Sequence, residues 1–378
     1  MMRLPDSCSN EKPTSDMKKI LYDNQMFTFQ RFGGVTRYFA DLIYNLPADE
    51  FVADIPMKYC ENHYVTETYG HKYKKFSFPS NYRVRRRIYA LANDCVSRHA
   101  LKHSDYDIFH PTYYDPYFID TIKRRQKPLV LTIHDMTFER YPQEVLLYDR
   151  TIQHKKRLIA EADHIIAVSE NTKRDIVEIL GTDPAKISVV HHGYKPVTEV
   201  APQLFDRYVL YVGERKGYKN FLPWLAAIRP LLECDTSLKV VCTGSPFTAT
   251  EQEMFAEWNV GDRLIHISAN DAQMASLYRH ALCFVFPSQY EGFGIPILEA
   301  FNGGCPVCLS NASCFPEVAG DAALYFNPCD AQSMHDTLKE VLTSNTMRNE
   351  LRQKGSQRGK EFSLERMVEK SCNVYRKL

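Results

Sequence analysis

Short apolar runs alternate with helix-length segments from Lys18 onward. Lys19-Ile20-Leu21-Tyr22 reads as a buried strand and Arg31-Phe32-Gly33-Gly34-Val35 as a loop. Val35, Tyr38, Phe39, Leu42 and Ile43 then recur at the spacing of one helix face. Residues 106–110, 129–135 and 164–169 repeat the apolar run, each followed by a helix-length stretch. Strands of this kind, separated by helices, predict parallel βαβ units.

Residues 187–193 close this series, and the stretch after Tyr194 carries Pro196 and Pro202 with little periodicity. A second series runs through 208–213, 238–244, 264–267 and 281–288, with 306–309 as its last strand. From Asp330 the pattern is polar and helical. The expected organisation is a polar leader (1–17), an N-terminal domain (18–192), a linker (193–206), a C-terminal domain (207–360) and a closing helix (361–378) that crosses back to the first domain. Two doubly wound α/β domains in tandem would face each other across a cleft at the carboxyl ends of their strands, where such folds bind ligands.

Length and charge narrow the classes. A chain of 378 residues suits two cores better than one. The net charge of +1 removes the electrostatic case for a nucleic-acid binder. No run of 18 apolar residues occurs, and 1–16 carries no apolar signal core, so a cytoplasmic protein is expected. The eleven cysteines have no repeated spacing and read as reduced core residues; Cys305-Pro306-Val307-Cys308 has no second pair at zinc spacing. Lys72, Lys74, Lys75, Arg83, Arg85, Arg86, Arg87, Arg98 and Lys102 make 71–103 basic, with Tyr73, Phe76, Tyr82 and Tyr89 interleaved. That region reads either as a solvated helix face or as a peripheral contact with an anionic membrane or phosphate-bearing acceptor.

The most informative segment is 288–304, Ser-Gln-Tyr-Glu-Gly-Phe-Gly-Ile-Pro-Ile-Leu-Glu-Ala-Phe-Asn-Gly-Gly. Pro296 suits a first helical turn, Ile297, Leu298 and Phe301 supply a buried face, and Gly303-Gly304 stops the helix. The Gly292-Phe293-Gly294 loop thus delivers backbone N–H groups to a helix N-terminus, which attracts a diphosphate or sugar hydroxyls. Glu291 and Glu299 bracket the helix start, on different parts of a ligand.

The spacing Glu291-x7-Glu299 with Glu-Gly-Phe-Gly and Pro inside it resembles the signature of retaining family 4 glycosyltransferases of GT-B fold. The flanks 281–288 and 315–323 are similar to that family, as is Gly213-Glu214-Arg215-Lys216-Gly217-Tyr218-Lys219-Asn220. In the first half, Phe32-Gly33-Gly34-Val35, Thr132-Ile133-His134-Asp135 and 171–174 are also family-like.

The resemblance implies a soluble, metal-independent hexosyltransferase without cofactor. Its first domain would take a glycan or lipid-linked acceptor and its second a nucleotide-diphosphate sugar of GDP-mannose or UDP-glucose type. Arg215 and Lys219 would hold the diphosphate and His134 would orient the sugar. Glu291 with the amides of Phe293, Gly294 and Ile295 would hold sugar hydroxyls, and Glu299 the ribose. Gly33, Gly34, Gly213, Ile267 and Gly292 would complete the donor site. Surface polysaccharide or lipopolysaccharide assembly, at the inner face of the membrane, is the family-level expectation. The alternatives are a nucleotide-sugar epimerase of the same architecture and a non-catalytic nucleotide-sugar binder. A dehydrogenase is disfavoured because neither glycine loop reads GxGxxG.

Overall fold

The computed structural model describes residues 17–75, 81–144 and 150–378. Phe76 and nearly all of the leader expected over 1–17 lie outside the described residues. The chain forms two compact units. One extends to Val130 and takes in Glu161–Asp163 and Tyr375–Leu378, and the other comprises Leu131–Ala160 and His164–Val374.

In the first unit β1 (Lys18–Tyr22) lies between β2 (Phe51–Asp54) and β3 (Ile108–His110), all parallel. The helix Gly34–Tyr44 buries the stripe read from the sequence, with Tyr38, Phe39, Leu42 and Ile43 inside. The chain's last residues join this unit. The Tyr375 hydroxyl lies 2.9 Å from that of Tyr22 and 2.7 Å from His110 Nδ1, and Arg376 pairs with Glu50 at 2.8 Å.

The second unit holds β4 (Val130–Ile133) from its second residue onward, then β5 (His164–Ala167) and β6 (Ile187–Val189), in that order. It also holds a six-stranded parallel sheet of β7 (Tyr208–Tyr211), β8 (Lys239–Cys242), β9 (Leu264–His266), β10 (Cys283–Phe286), β11 (Val307–Ser310) and β12 (Leu324–Phe326). Its order is β12-β11-β10-β7-β8-β9. Alternate residues of β7 face opposite layers. Tyr208 and Leu210 pack with Ile297, Leu298 and Phe301 of the helix Ile295–Asn302, whereas Val209 and Tyr211 pack with Trp224, Leu225 and Ile228 of the helix Phe221–Cys234. Both faces are covered, which is why the central strands read as unbroken apolar runs.

Three sequence readings change. The strand at 306–309 is not the last of its series, because β12 follows it. This strand is only three residues long at an edge, and two of its residues are half-buried, so it lacks the apolar signal of a central strand. β2, a four-residue edge strand with one buried position, escaped for the same reason. The cysteines divide: Cys60, Cys242, Cys283, Cys305, Cys308, Cys314 and Cys372 are buried, whereas Cys95, Cys234 and Cys329 are exposed.

Candidate active site

The connections out of β7 run through β8 to β9 at one edge, and those out of β10 run through β11 to β12 at the other. The sheet therefore reverses its winding between β7 and β10. At such a switch point the two loops diverge and leave a crevice at the strand ends. Here those loops are 212–220 and 287–294, the two segments that the sequence marked.

Gly213 closes β7 at φ 117° and Gly244 follows β8 at φ 98°, both in the region that favours glycine. A Cβ on Gly244 would stand 2.5 Å from the Gly213 carbonyl oxygen, so the backbones touch at the floor of the crevice. Ile267, just past β9, donates its N–H to Cys242 O at 3.0 Å and is partly buried.

Past Gly213 the chain makes a helical turn over Gly217–Lys219. Its carbonyl at Tyr218 accepts the Gln289 N–H at 2.7 Å, which joins the two loops. Lys219 Nζ then reaches Glu291 Oε1 at 2.6 Å, with both side chains largely enclosed. Burial alone would lower the Lys219 ammonium, but Glu291 outweighs it and holds the group above its ordinary value. Lys216 is exposed.

Arg215 is anchored more firmly than its sequence context shows. Its Nε donates to Glu251 Oε1 at 2.8 Å and its Nη2 to the Pro246 carbonyl at 3.0 Å, while the guanidinium lies 4.8 Å from the Phe247 ring centre. Only Nη1 is left without a partner, in a side chain that is 3% exposed. Glu251 also closes the capping box with Thr248 on the helix Ala249–Glu257. This tie left no mark in the sequence, since a Glu in a first helical turn is ordinary.

The helix Ile295–Asn302 begins at Gly294, φ 92°, and carries Pro in its first turn. Phe293 is buried. Glu299, half-buried, accepts the Tyr278 hydroxyl at 2.9 Å. Ser313 fixes the Glu291 backbone from both sides, accepting its N–H at 3.1 Å and donating to its carbonyl at 2.5 Å.

His134 follows β4, as the sequence reading had it at a strand end. Its carbonyl oxygen would be 1.8 Å from a Cβ on Gly292, so only glycine lets these loops approach. The Gly292 carbonyl accepts Ser169 Oγ at 2.7 Å, and Ser169 also caps the helix Glu170–Leu180 through Thr172 N–H. Enclosure lowers the imidazole of His134 to about 4, against a smaller opposing effect of Asp135. For Asp135 burial would raise the carboxyl, but Lys155 and the Thr137 hydrogen bonds outweigh it and leave it below the usual range. The ring is thus neutral beside a carboxylate at physiological pH. His192, 5.8 Å away between ring centres, is held neutral by burial as well.

The structure therefore brings together Lys219, Glu291, Gly292 and His134, and places Gly213, Ile267, Arg215, Gly294, Ile295 and Glu299 on the strand ends and helix of the same unit. Gly33 and Gly34 belong to the other unit, where Gly34 opens its helix. Tyr290, Ser169, Ser313 and Glu251 were missed. For Ser169 a sequence signal did exist, since a serine immediately before a helical stretch is a favoured N-cap residue.

Fold and site together define a double-Rossmann enzyme with its ligand site at a sheet switch point. A family model described as glycosyl transferases group 1 matches residues 200–358, and one described as glycosyltransferase family 4 matches 32–196. The chain belongs to this glycosyltransferase family. O-antigen chain mannosyltransferase B of Escherichia coli is 26% identical over 299 residues, 73% of this chain and 75% of that protein. MMP alpha-(1->4)-mannosyltransferase of Mycolicibacterium hassiacum is 26% identical over 304 residues, 73% of this chain and 72% of that protein. Among solved structures, a sucrose-phosphate synthase of Thermosynechococcus elongatus superposes with a TM-score of 0.73 at 18% identity, covering 95% of this chain and 98% of the other. Anabaena HepE in complex with UDP and glucose gives 0.71 at 14%, covering 96% and 100%. The fold is GT-B, with two parallel-sheet Rossmann-like domains, and the chain is a retaining hexosyltransferase that uses a nucleotide-sugar donor.

Proposed function

We propose that this enzyme transfers mannose from GDP-mannose to a glycan or lipid-linked acceptor in surface polysaccharide assembly. The observation that carries the site is the Lys219–Glu291 pair at the switch point between β7 and β10. The choice of mannose rests on the likeness to two mannosyltransferases.

Lys219 and Arg215 face the diphosphate, whose negative charge grows as the glycosidic bond breaks. Fixed cations stabilise that charge more in the transition state than in the bound donor, which raises the rate. Glu291 and the amides of Phe293, Gly294 and Ile295 hold sugar hydroxyls, Glu299 holds the ribose, and Gly213 and Ile267 flank the nucleoside. The acceptor hydroxyl attacks the face that the diphosphate leaves, through an oxocarbenium-like state. His134, neutral, accepts or donates one hydrogen bond to the sugar and does not act as a cation.

A second reading concerns where the enzyme works. Among the described residues, no helix is long and apolar enough to cross a membrane. Nine large hydrophobic side chains are exposed among the described residues, and four of them, Phe29, Val84, Ile88 and Leu91, fall in or beside the start of the helix Tyr82–His103. Val84, Ile88 and Leu91 share one helical stripe, Arg83 and Arg87 are exposed beside it, and the Arg86 guanidinium lies 4.8 Å from the Phe29 ring centre. Apolar side chains framed by arginines suit the anionic cytoplasmic leaflet. This surface supports peripheral docking there, close to a lipid-linked acceptor.

Thermal shift with GDP, UDP, GDP-mannose and UDP-glucose tests the donor, because ligands that bind only the folded state raise its apparent stability. GDP and GDP-mannose are expected to raise Tm. A rise with the uridine ligands alone would transfer the assignment to UDP-glucose.

A further inference from the structure

Tyr290 precedes Glu291 and has no role in the chemistry above. Its side chain is buried, yet its hydroxyl serves two elements at once. It accepts the Met136 N–H at 3.1 Å and donates to Asp175 Oδ2 at 2.5 Å. Asp175, on the helix Glu170–Leu180, is itself buried and held by Arg140 Nε at 3.0 Å and Asn171 Nδ2 at 3.1 Å. Burial first, and then Asp175, push the phenol above its usual range, so it remains a proton donor. Met136 lies two residues past His134. One hydroxyl therefore ties the loop that carries His134 to the loop that carries Glu291, and the well-anchored side chain of Asp175 fixes that hydroxyl.

The neighbouring clamps act elsewhere. Ser169 and Thr172 hold the main chain after Glu291, at the Gly292 carbonyl, at 2.7 and 3.3 Å. Ser313 holds Glu291 to its own side of the sheet. Of these contacts, the Tyr290 hydroxyl is the one that reaches the segment carrying His134 directly.

We infer that the Tyr290 hydroxyl, oriented by Asp175, is a positioning group that sets the separation of His134 and Glu291 around the transferred sugar. The inference rests on the reading that those two residues address that sugar. Phenylalanine at 290 would keep the ring packing and remove only the tie. Both loops would then stay folded but drift relative to each other, and a displacement of about 1 Å at reacting groups can cost on the order of 100-fold in rate.

The test uses full-length Tyr290→Phe, Asp175→Asn and Asp175→Ala. Nucleoside diphosphate release is followed from GDP-mannose and, in parallel, from UDP-glucose, and backbone hydrogen exchange is followed without ligand. For Tyr290→Phe, kcat is expected to fall roughly 10- to 100-fold while KM for the donor changes by less than about threefold. Exchange should quicken at 134–136 and 289–292 together. Asp175→Asn, which keeps an oxygen acceptor for the phenol, should retain more activity than Asp175→Ala. The Tyr290→Phe/Asp175→Ala double variant should be no worse than the poorer single one, as expected for two parts of one device. A purely structural role would lower Tm and leave kcat per folded molecule alone. The inference fails if kcat of Tyr290→Phe stays within about twofold of wild type, or if exchange in the two loops is unchanged. Should the wild type turn over neither sugar, the donor assignment falls instead, and hydrogen exchange still decides this point.

Discussion

Lys219 Nζ and Glu291 Oε1 are 2.6 Å apart, so the cation assigned to the diphosphate and the carboxylate assigned to the sugar are each other's counter-ion. Removing either charge strips the donor of one partner and leaves the other group enclosed without its ion. Lys219→Ala is expected to lower kcat/KM by about 10²- to 10³-fold, as for other donors aimed at developing charge. Steady-state kinetics checks this, and a loss smaller than about fivefold would remove Lys219 from the chemistry.

Gly292 is confined by the backbone of another loop. Alanine there would press its Cβ against the His134 carbonyl oxygen, so Gly292→Ala should destabilise by about 3 kcal/mol or more, or displace the loop. Gly181→Ala provides the contrast. That position has open space but φ 65°, and about 1–2 kcal/mol is expected. Urea melts compare the two, and equal costs would contradict the close approach.

The enclosed His134 links stability to pH. Its folded value of about 4 lies below its ordinary 6.5, so below pH 6.5 the unfolded chain binds a proton that the folded one does not. Stability should therefore be full above about pH 6.5 and fall as pH drops towards 4, by about 3 kcal/mol from this residue. His192 acts in the same direction. Melts of wild type and His134→Gln between pH 4 and 8 test the sign, and a wild type whose stability rose on acidification would refute it.

Glu251 supports the site from behind. It pairs with Arg215 and caps its own helix, so Glu251→Ala removes a cap and leaves a buried guanidinium short of its ion. A loss of about 2–4 kcal/mol is expected in chemical denaturation. A melt indistinguishable from wild type would show the pair to be dispensable.

For the exposed helix face, Val84→Ser/Ile88→Ser/Leu91→Ser should abolish sedimentation with vesicles rich in anionic lipid and leave turnover of soluble substrate intact. Added salt should weaken wild-type binding, because arginines contribute to it. Equal binding to neutral and anionic vesicles would count against the charge argument.

Much of this was legible early. The loop 288–304 announces itself because glycine, proline and glutamate each have a local physical reason to stand where they do. The helix on Ile297, Leu298 and Phe301 follows from spacing alone. Tyr290 could not be read that way. Its hydroxyl meets Asp175 and Met136, which are 115 and 154 positions away, and a tyrosine before Glu-Gly-Phe-Gly looks like one more apolar residue. Arg215 was legible as a cation but not as one already bound to Glu251, 36 positions on.

Periodicity and local backbone chemistry determined the parallel α/β series, the glycine loops and the residue types gathered at their ends, because those properties depend on neighbours within a turn or a strand. Which side chains meet depends on how the strands are ordered and how closely their loops approach. The reversal between β7 and β10, the contact of Gly292 with His134 and the shared phenol of Tyr290 were therefore decided only when the chain packed.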